Sequence, residues 1–186
     1  MALTTEDERD FGEYFSARYD RVRRVAYLMC GDWHRADDLA QAAFIRLARS
    51  WRSLRSHGAL DAFVRTCLLR SAIDESRRPW RREQAVTSIP DEHLGERDPA
   101  RPLDESTARR LTVITALQQV PARQRAVLVC RFFEDLDVAE TSEVLRCSAG
   151  TVKSQTSRGL DNLRRALGDA FDDVTPKALV RRPNDV

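Results

Sequence analysis

"SAGTVKSQTSRG", Ser148–Gly159, is the stretch on which the reading of this chain turns. It has almost no bulky apolar side chains, yet it carries Lys153 and Arg158 and runs straight into the periodic "LDNLRRAL". Ser148 suits a helix N-cap, because its hydroxyl can accept from the orphan amides near Thr151. From there Val152, Thr156, Leu160, Leu163 and Leu167 recur at spacings of four, four, three and four, the stripe of a helix with one buried face. Lys153, Ser154, Ser157, Arg158 and Asp161 are left for the other face.

Just upstream, Asp137 followed by Glu140 has the spacing of a capping box and opens a short helix, "VAETSEVL", that ends at Arg146–Cys147. Two short helices joined by a tight turn, the second polar and cationic in its first half, describe a helix-turn-helix. Small side chains let such a helix approach the major groove closely. Lys and Arg reach guanine edges or phosphates, and Ser and Thr donate to either. The alternative is a solvated surface helix. Against it, cations near a helix N-terminus oppose the macrodipole by ~0.3–1 kcal/mol, so stability alone would not select them.

Further outward, "ARRLTVITALQQV" and "PARQRAVLVCRFFED" complete a helical block over Ala108–Leu167. Residues 84–108 break the periodicity with three prolines, a glycine and an excess of acids over bases, and read as a flexible acidic linker. Before it, Phe11 to about Glu83 holds three amphipathic segments, the first ended by Gly31 and the third stopped by Pro79. With no strand signal of any length, the expected fold is all-α. Two small helical domains, 1–83 and 109–167, are joined by the linker 84–108 and followed by a flexible tail, 168–186.

Composition excludes more than it assigns. The 186 residues are 42% hydrophobic and 32% charged, with a net charge of only +2, so the placement of charge matters more than its sum. No window approaches the ~18 apolar residues of a membrane span, and the acidic start "MALTTEDERDFGEY" is no secretory signal, so no membrane insertion and a cytoplasmic address are expected. Cys30, Cys67, Cys130 and Cys147 form no C-x-x-C pair and sit among apolar residues, which favours buried free thiols over a metal site. The three histidines are scattered, and neither a nucleophile–base pairing nor a glycine-rich phosphate loop occurs. Neither an enzyme nor a cofactor is expected.

Two further stretches carry candidate chemistry. "SRRPWRRE", Ser76–Glu83, sets four arginines around Trp80, which suits phosphate contact with stacking on unpaired bases, or equally a solvated helix end whose cations favour the dipole. "RADDLAQAAF" sets Asp37 and Asp38 beside an apolar stripe, either a solvated acidic pair or a protein-docking face.

Taken together, "YLMCGDWHRADDLAQAAF" (27–44) and "VPARQRAVLVCRFFEDLDVAE…SAGTVKSQTSRGLDNLR" (120–164) resemble the sigma-70 family of bacterial transcription initiation factors, in particular its small extracytoplasmic-function group. The resemblance covers both blocks, in the family's order, and implies a function. The first block would be sigma domain 2, in which Asp37, Asp38, Leu39, Gln41 and Phe44 meet the beta-prime clamp helices of core RNA polymerase. Arg70, Asp74, Arg77, Arg78, Trp80, Arg81 and Arg82 would bind and open the −10 promoter element. The second block would be sigma domain 4, docking the beta flap, with Thr151, Lys153, Ser154, Ser157 and Arg158 on the −35 element. An anti-sigma factor is the further partner that the family admits. The chain departs from the family pattern in three places. Arg70 stands where an Asn is common, beside the pocket for an unstacked base. Arg146 stands where the turn is usually Gly, so a different turn is expected, since a left-handed residue other than glycine costs roughly 1–2 kcal/mol. Thr141 and Ser142 replace a more apolar pair and are expected to loosen the block.

Overall fold

The computed structural model describes residues 4–54, 57–77 and 105–168, and these are helical with no strand among them. The chain divides into two compact units, Met1–Glu75 and Ser76–Val186.

The first unit is built on α1 (Thr5–Cys30), α2 (Trp33–Ser50) and α3 (His57–Ser76), with a 3-10 turn at Trp51–Ser53. The start of α1 is a capping box: Asp7 N donates to Thr4 Oγ1 (3.2 Å) and Thr4 N donates to the Asp7 carboxylate (3.1 Å). Glu6, Asp7 and Glu8 in the first turn complement the dipole. Gly31 ends α1 as expected, in the left-handed region (φ 72°) that glycine adopts without steric cost, its N–H on Tyr27 O. One residue later Asp32 caps α2 through Arg35 N (2.8 Å). This Gly–Asp pair turns the chain in minimal length, so α2 packs directly back on α1. Ala36, Leu39, Ala40, Ala43, Phe44 and Leu47 form the buried stripe of α2, facing Tyr14, Val25, Ala26 and Met29 of α1 and Leu60, Val64, Leu68 and Leu69 of α3 in one core. A polar tie spans α1 and α3: Tyr14 Oη donates to Asp61 (2.7 Å), which also pairs with Arg18 (3.2 Å).

The second unit comprises α4 (Glu105–Gln119), α5 (Ala122–Leu128) continued by a π turn at Val129–Phe133, α6 (Val138–Leu145) and α7 (Ala149–Leu167). Helix α4 begins inside the stretch read as linker; the rest of that stretch, 84–104, and the tail from 169 lie outside the described residues. Pro121 separates α4 from α5, since it fixes φ and donates no amide. The stripe predicted for α7 is buried at every position, Val152, Thr156, Leu160, Leu163 and Leu167. Helix α5 crosses it so closely that a Cβ at Gly159 would lie 3.1 Å from Leu128 Cγ.

The α6–α7 turn corrects an expectation. Arg146 adopts the left-handed conformation (φ 47°, ψ 58°) that glycine would take, so the turn keeps its shape and carries the strain. Hydrogen bonds from Arg146 N to Glu143 O (3.3 Å) and Cys147 N to Ser142 O (3.0 Å) hold it there. Arg146→Gly is therefore expected to raise unfolding stability by about 1 kcal/mol, read as a shift in the urea midpoint at unchanged m-value. Thr141 is fully buried and its hydroxyl has no hydrogen-bond partner among the described residues. Thr141→Val should stabilise by about 1–2 kcal/mol in the same assay, by removing a polar atom that folding dehydrates without compensation. Ser142 is satisfied by Ala139 O (2.7 Å) and carries no such strain. Of the four free cysteines only Cys130 is fully buried; Cys30, Cys67 and Cys147 are half-buried, because each lies at the edge of its unit's core.

Candidate functional site

Helix α7 begins with Ser148 as N-cap, its Oγ accepting from Thr151 N (3.1 Å), as the sequence predicted. Thr151, Lys153, Ser154, Ser157 and Arg158 are all exposed, on the side left open by the buried stripe. Ser154 donates to Thr151 O (3.1 Å) within the first turns. Lys153 and Arg158 make no ion pair among the described residues. Two unneutralised cations over a helix face otherwise made of small polar groups suit a polyanion.

In the first unit the sequence-read residues fall into two groups. Arg70 is half-buried on α3, and Asp74 and Arg77 are exposed at spacings of four and three beyond it, so the three share one side of the helix end. Arg46 of α2 reaches the same region and donates to Ser71 Oγ (2.8 Å). Arg78, Trp80, Arg81 and Arg82 lie outside the described residues.

The acidic pair separates. Asp38 is exposed and Gln41 is exposed, whereas Asp37 is half-buried and paired within the unit. Arg23 grips it through two nitrogens, Nε to Oδ1 at 2.5 Å and Nη2 to Oδ2 at 3.2 Å, and Tyr19 Oη donates to Oδ1 at 3.0 Å. Burial pushes the Asp37 carboxyl up, and these hydrogen bonds together with the Arg23 charge outweigh it, holding the group below its ordinary value. Leu39 and Phe44 are buried too, Phe44 at 2% exposure, so Leu39 supports the surface from beneath and presents none of its own. What α2 does present is a shallow apolar groove lined by Phe11, Phe15, Gln41, Phe44, Ile45 and Ala48. Ile45, 54% exposed, was missed in the sequence; its signal is an isoleucine outside the Leu39–Phe44–Leu47 stripe, four residues after Gln41. The second unit likewise exposes two adjacent aromatics on the π turn, Phe132 (38%) and Phe133 (44%). Among the described residues no group of His, Cys, Asp or Glu could hold a metal ion, and no helix is long and apolar enough to cross a membrane.

Residues 14–82 match the family model for sigma-70 region 2, and residues 110–163 match that for sigma-70 region 4. The chain belongs to the sigma-70 family of transcription initiation factors, in its extracytoplasmic-function group. It is 31% identical to the RNA polymerase sigma-E factor of Streptomyces coelicolor over 95% of each chain. It is 28% identical to the extracytoplasmic-function sigma factor SigM of Mycobacterium tuberculosis over 87% of this chain and 79% of that one. Among solved structures, the sigma factor RpoE of Bartonella quintana, crystallised with the anti-sigma factor NepR, superposes with a TM-score of 0.64 at 20% identity, covering 87% of this chain and 98% of that one. That likeness is one of fold. Members of this family regulate transcription initiation; within that frame each surface described above becomes a candidate for one step of it.

Proposed function

We propose that this sigma factor binds core RNA polymerase, reads a −35 element with α7 and opens a −10 element with the end of α3. The observation that carries the reading is the pair Lys153 and Arg158, exposed and without carboxylate partners among the described residues on the recognition-helix face. On a −35 duplex they neutralise phosphates or reach guanine edges, while Thr151, Ser154 and Ser157 supply short hydrogen-bonding contacts. Arg70, Asp74 and Arg77, continued by Arg78, Trp80, Arg81 and Arg82, engage the unpaired strand through charge and stacking. The groove flanked by Asp38 and Gln41 receives the beta-prime clamp helices, with Ile45 as its apolar anchor. Phe132 and Phe133 meet the beta flap. An anti-sigma factor is proposed as a regulatory partner, since RpoE is a structural relative seen with one. The chain works in the cytoplasm, where polymerase and promoters are.

Run-off transcription with core polymerase across a pool of genomic promoters tests this reading. Discrete transcripts that require the added chain are expected; none with any promoter would overturn it.

A further inference from the structure

The Asp37 carboxylate, partly exposed, is held by partners from α1, and those partners touch the groove. Tyr19, which donates to Asp37 Oδ1 at 3.0 Å, packs its ring on Phe15 (centroids 4.9 Å apart) and on Phe44 (6.0 Å). Phe15 and Phe44 are themselves in edge contact at 4.8 Å, and both line the groove beside Gln41, Ile45 and Ala48. Arg23 completes the arrangement. It grips Asp37 bidentately while its guanidinium lies 4.4 Å over the Trp33 ring, which stacks on Tyr27 at 3.9 Å with the planes 7° apart. Arg23, Tyr19 and Tyr27 belong to α1, whereas Trp33 and Asp37 belong to the first turns of α2. The cluster therefore fixes where α2 crosses α1, and the Tyr19 hydroxyl fixes how far the aromatic wall of the groove leans.

We propose that Asp37 is a positioning residue, a latch that sets the width of the α1–α2 groove through Tyr19, and that Asp38 alone of the acidic pair faces the partner. The inference rests on the reading of that groove as the polymerase-docking face. It also assigns a division of labour within "DD": one carboxylate shapes the surface and its neighbour meets the partner. Asp37→Asn loses the charge that Arg23 and Tyr19 converge on, and the wall formed by Phe15 and Phe44 relaxes.

The test measures the affinity of the full chain for core RNA polymerase by competition against a labelled wild-type copy, with thermal unfolding of every variant alongside. Asp37→Asn is expected to raise Kd roughly threefold to thirtyfold, the range over which residues without ligand contact modulate a distant site. Tyr19→Phe, which keeps the ring and removes only the hydroxyl, should weaken binding in the same direction and remains available if Asp37→Asn folds poorly. Thr4→Ala removes the N-cap of α1 and supplies a destabilised reference; it should lower the unfolding midpoint and leave Kd unchanged. Wild-type affinity in Asp37→Asn overturns the latch. So does a loss in Asp37→Asn that Tyr19→Phe does not share, since that pattern marks Asp37 as a direct contact. Ile45→Asp separates the two levels of the argument. If it abolishes binding while Asp37→Asn has no effect, the groove docks polymerase and the latch fails; if it has no effect, the docking reading of the groove fails, and the latch with it.

Discussion

Replacing Lys153 and Arg158 together by alanine is expected to weaken binding to a −35 duplex at least about thirtyfold. The estimate follows from what such contacts contribute elsewhere, ~1–3 kcal/mol for each side chain that reaches a base edge or phosphate. Neither side chain has a carboxylate partner among the described residues, so no internal ion pair has to break before DNA is met, and none is lost on substitution. Stability should stay within about 0.5 kcal/mol of wild type, as for other surface changes. The single variants then separate the two kinds of contact. A side chain on phosphate lowers affinity for every duplex by a similar factor and reduces the salt slope by roughly one. A side chain bidentate on guanine relaxes preference at one position of the −35 element and leaves affinity for other sequences nearly unchanged. Binding measured over a salt series, on a promoter and on an unrelated duplex, reads both quantities. Unchanged binding in the double variant would remove α7 as the recognition helix.

What the sequence made legible, it made legible through local rules. The caps at Asp137 and Ser148, the glycine stop at Gly31 and the α7 stripe each depend on residues within about a turn of one another, where spacing and side-chain type suffice. The two units follow from such segments together with the proline-rich stretch between them. Legibility ends where helix crossing decides. In "RADDLAQ" both aspartates look alike, and only the approach of Arg23 and Tyr19 from α1 draws Asp37 inward and leaves Asp38 out. Leu39 and Ile45 are both apolar residues of one helix, and it is the placement of α1 and α3 around α2 that buries the first and exposes the second. Arg146 shows a different limit. A glycine-free turn suggested another backbone path, but the hydrogen bonds at the end of α6 hold the left-handed geometry despite its cost. The half-buried cysteines were read as core from their apolar neighbours in sequence, which say nothing of how near the edge of the packed unit each one lies.

Arg125 is the clearest case of a residue whose role was hidden, and its removal is expected to damage the second unit about as much as truncating a buried leucine. In "PARQRAV" it reads as one more surface cation of an amphipathic helix. In the structure its guanidinium turns back to the end of α4, with Nη1 on Gln118 Oε1 and Nη2 on Gln118 O (2.6 Å) and Val120 O (3.0 Å). The Gln118 carbonyl belongs to the last turn of α4, which leaves acceptors without intrahelical donors, the Val120 carbonyl follows just beyond it, and the next residue, Pro121, has no amide to offer. Arg125 thus does for α4 what a left-handed glycine does for α1, and it couples α4 to α5 in doing so. Arg125→Ala should destabilise the second unit by about 3 kcal/mol, combining the loss of charge-assisted hydrogen bonds with carbonyls left short of donors. Arg125→Lys tests the geometry: an ammonium is a single point of donation and cannot span both carbonyls and the Gln118 side chain, so it should recover less than half of the loss. Urea unfolding followed by helical circular dichroism measures both, and a lysine variant as stable as wild type would show that charge alone, without the planar fork, is what the end of α4 requires.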